Sequence, residues 1–317
     1  MSDQTDAGHD VSSESLRTVV VAFAANAAIA VAKTAAGVLS GSASMVAEAA
    51  HSWADTGNQV MLYVADRRSR RPADARHPLG HGREAYVWAL LAAVGLFVVG
   101  ASVSIWHGVT EIIHGEEGSG DYLLSYVVLL IALVLEGISL AQAVRQLHRE
   151  AQEYDRDLLE HALATSDPTT RAVFAEDSGA VIGIVIAFAG LGLHQLTGNA
   201  VWDGVGSILI GVLLGVIAVF LIDRNRRFLT GEPGSDDLRN AVMARIRELP
   251  DVNDVRFVRL TFVGPKRLFL VASVDLVGDP VESHVARTLR RLESELETDP
   301  HIADAVLTIA DPDESGF

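Results

Sequence analysis

The sequence predicts an α-helical membrane protein in which six apolar spans precede a small α+β domain. Three observations carry that expectation. Apolar blocks recur six times at the ~20-residue length that a helix needs to cross a bilayer core. Arginine gathers in alternate connections between those blocks. Beyond Gly231 the hydrophobic spacing changes to that of strands and short amphipathic helices.

Composition agrees. Of 317 residues, 49% are hydrophobic, yet the formal net charge is −16. One mixed globular core would not give both; the charges lie between and after the apolar blocks. There is no cysteine, which excludes disulfides and thiolate metal sites and leaves His, carboxylates and carbonyls as metal donors. Lysine occurs only at Lys33 and Lys266. Residues 1–16 are acidic and polar, lack a basic segment followed by an apolar one, and read as a disordered tail rather than a cleaved signal peptide.

The first span is Val19–Leu39, and the second, Ser42–Val64, follows a break at Gly41. The third runs from near Ala85 to about Ile113, the fourth is Tyr122–Ala143, the fifth Val173–Leu193 and the sixth Val201–Ile222. Arg67, Arg68, Arg70, Arg71 and Arg76 lie between spans two and three, Arg145, Arg149 and Arg156 between four and five, and Arg224, Arg226 and Arg227 after six. The loop between three and four carries Glu116, Glu117 and Asp121 and no Lys or Arg. The positive-inside rule then places both termini in the cytoplasm of a multi-pass cell-membrane protein.

Residues 17–230 thus form the membrane domain and 231–317 the second domain. Ser235 reads as the N-cap of a helix to about Leu249, with Asp236 and Asp237 in its first turn. Val252–Val263 and Leu268–Val277 read as strands joined by a Gly264-Pro265 turn, Pro280–Glu297 as an amphipathic helix and Ala303–Ile309 as a third strand. A domain of this size has a marginal core, so pairing with a second copy is expected.

Ionisable side chains inside a span are costly and mark functional interiors. The second span holds Glu48, His51 and Asp55 at i, i+3 and i+7, on one helix face. His51 and Asp55 can reach one ion together, through an imidazole nitrogen and a carboxylate oxygen that suit Zn²⁺ and also Mn²⁺, Co²⁺ or Fe²⁺. A polar pair can serve only to bond helices together; three such groups on one face favour an ion site. Glu176 and Asp177 in the fifth span supply a candidate second half. Lys33 can snorkel or pair with a carboxylate. Glu136 is either a proton-handling group or a packing partner. A second cluster, Asp74, His77 and His81, lies in the loop Asp74-Ala-Arg-His77-Pro-Leu-Gly-His81-Gly-Arg83-Glu84.

Together, Gly41-Ser42-Ala43-Ser44, His51-Ser-Trp-Ala-Asp55-Thr-Gly-Asn58-Gln59, His77-Pro-Leu-Gly-His81, Asp203-Gly-Val-Gly206-Ser207 and Phe228-Leu-Thr-Gly-Glu232-Pro resemble the cation diffusion facilitator family. The likeness covers nearly the whole chain after the acidic tail, and the His-Ser-x-x-Asp-Thr-x-Asn-Gln wording is most similar to its mitochondrial-type zinc branch. It implies a metal/proton antiporter that exports divalent cations, Zn²⁺ first and Mn²⁺, Co²⁺ or Fe²⁺ as alternatives, by alternating access. The metal is then transported substrate and no cofactor is needed. It implies a homodimer in the lipid bilayer, a ferredoxin-like tail and no nucleic-acid partner.

The resemblance pairs His51 and Asp55 with Asp177. The position four residues before Asp177, a His in zinc-branch members, is Val173 here, so a fourth ligand must come from Glu176, Glu48, water or the backbone. Asp74, His77 and His81 match a loop site of some members. In the tail, His284 and Asp311 match ligand positions of metal-sensing members, while Arg256, Ala272 and Ile309 replace others. The tail is therefore expected to be structural and dimerising. Two other classes remain open to the sequence: a membrane metal sensor that does not transport, and a membrane-embedded metal-dependent hydrolase. The latter lacks a His-Glu-x-x-His helix.

Overall fold

A computed structural model of the chain describes residues 6–115, 122–153, 157–278 and 281–310, with side chains of the first helix described from residue 23 onward. The acidic loop 116–121, Arg156, Pro280 and Asp311 lie outside the described residues.

Helix α1 spans Asp6–Ser40 and α2 Ala43–Ser69. Helix α3 (Glu84–Gly95) runs through a π-helical segment, Leu96–Ala101, into α4 (Ser102–His114). Then come α5 (Leu123–Glu153), the short α6 (Leu158–Ala164), α7 (Pro168–Thr197) and α8 (Val201–Thr230). Five stretches among the described residues are long and apolar enough to cross a membrane: Phe23–Ser40, Glu84–His114, Leu123–Gln152, Pro168–Thr197 and Val201–Thr230. At 27 residues α2 is long enough, but its polar face, the one that carries Glu48, His51 and Asp55, lowers its hydropathy. The expected six-span count thus comes from five apolar helices and one polar-faced helix.

Two sequence expectations shift. Helix α1 begins at Asp6, inside the stretch read as a disordered tail; with no proline before Arg17, a formed helix extends at little cost. Helices α5 and α8 run beyond their apolar blocks, to Glu153 and Thr230. Apolar length measures only the part of a helix that lipid surrounds, not where hydrogen bonding stops.

The chain divides into two compact units. One contains residues up to Tyr63, Ala89–Thr165 and Thr169–Asp223. Its core includes Ala36, Met45, Leu96, Leu129, Ile184, Ile210 and Leu214. Small residues let two helices meet: a Cβ on Gly108 of α4 would lie 2.5 Å from the Gly204 carbonyl oxygen of α8.

The other unit contains Val64–Trp88, Ser166–Pro168 and Arg224 onward. It therefore includes the loop after α2 as well as the tail. The tail follows the predicted order: α9 (Asp236–Arg247), β1 (Val252–Gly264), β2 (Arg267–Leu276), α10 (Glu282–Leu296) and β3 (Ile302–Ile309). Ser235 caps α9, its hydroxyl accepting the Leu238 N–H. β1 and β2 pair antiparallel, and β2 and β3 pair parallel through the α10 crossover. The sheet order is β1-β2-β3. Helix α10 buries Thr288, Leu292 and Leu296, every fourth residue, over a core that includes Leu270, Ala272 and Val274.

Within this unit Tyr86 stacks on Phe228 and Phe228 meets Phe262 edge-on, with centroids 5.0 and 5.4 Å apart. Gly82 and Gly264 approach backbone to backbone. A Cβ on Gly82 would sit 2.6 Å from the Val263 carbonyl oxygen, so no larger residue fits without separating the segments.

Candidate metal site

Helix α2 arrays Glu48, His51, Asp55 and Asn58 along one stripe, at successive steps of three, four and three residues. Glu48, His51 and Asn58 are buried. His51 Nδ1 lies 3.4 Å from Asp55 Oδ2, outside hydrogen-bond geometry. Among the described residues neither ring nitrogen of His51 has a hydrogen-bond partner, nor has Asp55 Oδ1. Buried polar atoms are normally satisfied, and each exception asks for an explanation. An imidazole and an adjacent carboxylate with such unsatisfied atoms form a donor set suited to a borderline divalent cation.

Helix α7 supplies the facing groups. Glu176 is buried and accepts a short hydrogen bond from Asn58 Nδ2. Asp177 accepts one from Ser139 of α5 at 2.6 Å. Glu176, Glu136, Asp177 and Lys33 all lie within electrostatic reach of Asp55. Val173, where a histidine was expected, is part-buried and packs against the apolar core. Glu48 is held differently from the other candidates: its Oε2 accepts from Lys33 Nζ at 2.9 Å, with both side chains fully buried.

The loop cluster also assembles. Asp74 Oδ1 is 3.1 Å from His77 Nδ1, and Asp74 Oδ2 is 3.1 Å from His81 Nε2. One donor atom from each residue lies within 4.8 Å of the other two. The Asp74 carboxyl is held well below its usual range by the hydrogen bond to His81, then by the backbone N–H groups of Arg76 and His77. His81 is buried, whereas Asp74 and His77 are exposed. In the tail, His284 is exposed, Arg256 pairs with Asp254 at 3.5 Å, and Ala272 is buried in the core.

Several partners escaped the sequence reading. Glu84 reaches His81 Nδ1 at 3.3 Å, so a carboxylate faces each nitrogen of that ring. Asn58, noted only as part of a motif, continues the stripe of His51 and Asp55; its three-residue step from Asp55 was a usable signal. Ser139 gave no local signal, and Asp203 was noted only as part of a motif, with nothing to show what it bonds. Asp203 of α8 caps α2, accepting from Ser42 Oγ at 3.0 Å, Ala43 N–H at 2.6 Å, Ser44 N–H at 3.4 Å and, by a shorter bond, Ser44 Oγ.

A helical chain with unsatisfied imidazole and carboxylate atoms between its membrane-spanning helices defines the class: an integral membrane protein with a polar interior. Residues 19–230 match the family model described as the cation efflux transmembrane domain. The chain belongs to the cation efflux, or cation diffusion facilitator, family. It is 33% identical over 262 residues to the mitochondrial proton-coupled zinc antiporter SLC30A9 of Mus musculus, covering 83% of this chain and 46% of that protein. It is 34% identical over 247 residues to metal tolerance protein C4 of Arabidopsis thaliana, covering 78% and 54%. It is 26% identical over 252 residues to the zinc transporter ZitB of Escherichia coli, covering 79% and 74%. The chain spans about half the length of the first two relatives.

Proposed function

We propose that the protein is a secondary active transporter, not an enzyme, that exports a divalent metal ion, Zn²⁺ first, in exchange for protons. The observation that carries this reading is His51: among the described residues both its ring nitrogens are buried without a hydrogen-bond partner, beside Asp55, which in turn lies within electrostatic reach of Asp177. The names of the relatives, a proton-coupled zinc antiporter and a zinc transporter, support the same ion and counter-ion.

His51, Asp55 and Asp177 hold the ion, and Glu176 completes the set by exchanging Asn58 for metal. The ligands must be deprotonated to bind metal, so protons and metal compete for the same atoms. Facing the cytoplasm, metal displaces protons; facing the other side, protons displace metal. Tilting of α2 and α7 changes the side from which the site is reached. Asp74, His77 and His81 form a second metal-binding cluster at the cytoplasmic side, the side on which the positive-inside rule favours both termini. The tail, on the cytoplasmic side of the cell membrane, pairs two copies and binds little or no metal of its own. The single nitrogen ligand, a consequence of Val173, also opens the site to Mn²⁺, Co²⁺ and Fe²⁺.

The test is transport in proteoliposomes at a fixed pH gradient, with Zn²⁺, Mn²⁺, Co²⁺, Fe²⁺ and Cd²⁺ compared and a parallel hydrolysis assay. Metal-driven proton flux should be present in the wild type and lost in Asp55→Ala and Asp177→Ala. Wild-type flux in both variants would sink the assignment. Metal binding without flux would identify a sensor, and substrate turnover without flux a hydrolase.

A further inference from the structure

The buried pair Lys33–Glu48 has no role in the exchange just described. It joins α1 to α2, with Nζ donating to Oε2 at 2.9 Å and neither side chain exposed. The other carboxylate oxygen, Oε1, makes no hydrogen bond among the described residues. Glu48 lies one turn before His51 on the same stripe of α2. It also faces α7: a Cβ added at Gly183 would collide with Glu48 Oε1. Gly183 is seven residues, two turns, beyond Glu176 on the same face of α7. Glu48 therefore occupies the same seam between α2 and α7 as the candidate ligands, with one free oxygen. Lys33 has electrostatic reach over His51, Asp55 and Glu136 as well.

We propose that Lys33 is a specificity-determining residue, a resident cation that withholds the Glu48 carboxylate from the transported metal. The proposal rests on reading His51, Asp55 and Asp177 as the transport site. An ammonium ion compensates one carboxylate where the metal would otherwise find it. Released, Glu48 would add a hard oxygen donor next to a single imidazole. A donor set richer in carboxylate favours Mn²⁺ over Zn²⁺. The fixed positive charge also weakens the hold on any divalent ion nearby, by direct repulsion.

A purely structural pair predicts something else. Breaking it would destabilise the helices by leaving a buried charge unpaired, and would leave the choice of ion as it was. The experiment compares Mn²⁺ and Zn²⁺ uptake rates, in competition, for wild type, Lys33→Met, Lys33→Arg and the double variant Lys33→Met/Glu48→Gln. Lys33→Met should raise the Mn²⁺-to-Zn²⁺ ratio about tenfold, the scale on which supporting groups tune metal sites. Lys33→Arg should keep the wild-type ratio, and the double variant should return to it. An unchanged ratio in folded Lys33→Met overturns the proposal, as does a double variant that shifts as far as the single one. Should Lys33→Met fail to fold, the visible absorption of bound Co²⁺ decides. The spectrum should be the same in the wild type and the double variant; a changed spectrum makes Glu48 a ligand already and overturns the proposal. Absence of metal flux in the wild type refutes the transport reading itself, and this assignment with it.

Discussion

Replacing Asp203 with alanine should be among the most destabilising single changes outside the ion site. Asp203 is fully buried on α8 and receives hydrogen bonds from two backbone N–H groups and two hydroxyls at the start of α2. Those N–H groups belong to the first turn, where a helix has no partners of its own. The carboxylate also meets the positive end of the helix dipole. Loss of an N-cap costs about 1 kcal/mol, and a hydrogen bond to a charged group contributes about 1.5–3 kcal/mol. These bonds share one acceptor and do not add in full, so the combined cost is on the order of 3–4 kcal/mol. For a chain of this size each kcal/mol moves the melting temperature by roughly 2–4 °C, so Asp203→Ala should melt roughly 6–16 °C lower. The assay is thermal unfolding of the purified protein in detergent. Ser42→Ala/Ser44→Ala removes two of the donors and should lose less than Asp203→Ala alone. Combined with Asp203→Ala it should add almost nothing, because the shared interaction is already gone. A melting temperature for Asp203→Ala within about 2 °C of wild type would refute the reasoning.

Two further outcomes concern the unit that contains the tail. Gly82→Ala must push the loop away from the β1–β2 turn, since the new Cβ would meet the Val263 carbonyl 2.6 Å away. That overlap should cost about 1–3 kcal/mol and raise hydrogen exchange in residues 80–84 and 262–267; unaltered exchange there would contradict the packing described. Asp299 is held below its usual range by the His301 backbone N–H, with help from the His301 ring and Arg245. Its folded-state pKa is therefore below the unfolded value of about 3.9, so its contribution is present above that pH and is lost as pH falls through the folded value. Asp299→Ala should accelerate exchange around β3 at pH 7 and lessen its dependence on acid, and an identical acid profile would count against it.

Much of the architecture could be read without coordinates because the signals are local. Apolar length marks a span, Ser235 followed by Asp236 and Asp237 marks a helix start, and alternating hydrophobics mark β1 and β2. His51 and Asp55 were legible for the same reason, being four residues apart on one helix. Interactions between distant segments were not. Nothing near Asp203 announces that it will cap a helix beginning 160 residues earlier, and nothing near Lys33 selects Glu48 over Glu136. The short helix α6 lacks both the apolar length and the capping contrast that would separate it from a loop. Its N-cap position, Asp157, makes no side-chain cap bond. Glu84 was visible as a letter in a motif, but only the folded loop brings it to His81.

The widened turn at Leu96–Ala101 gives the third membrane crossing a property that its length does not convey. Both the N–H and the hydroxyl of Ser102 donate to the Phe97 carbonyl, five residues back, so the extra residue is accommodated without an orphaned backbone group. Single-turn π segments of this kind interrupt an otherwise regular helix and recur at functional sites. The crossing contains no proline, so the widened turn, and not a missing backbone donor, resets the angular register between the residues of α3 and those of α4. Gly108, seated against Gly204, lies in the half whose facing that extra residue sets.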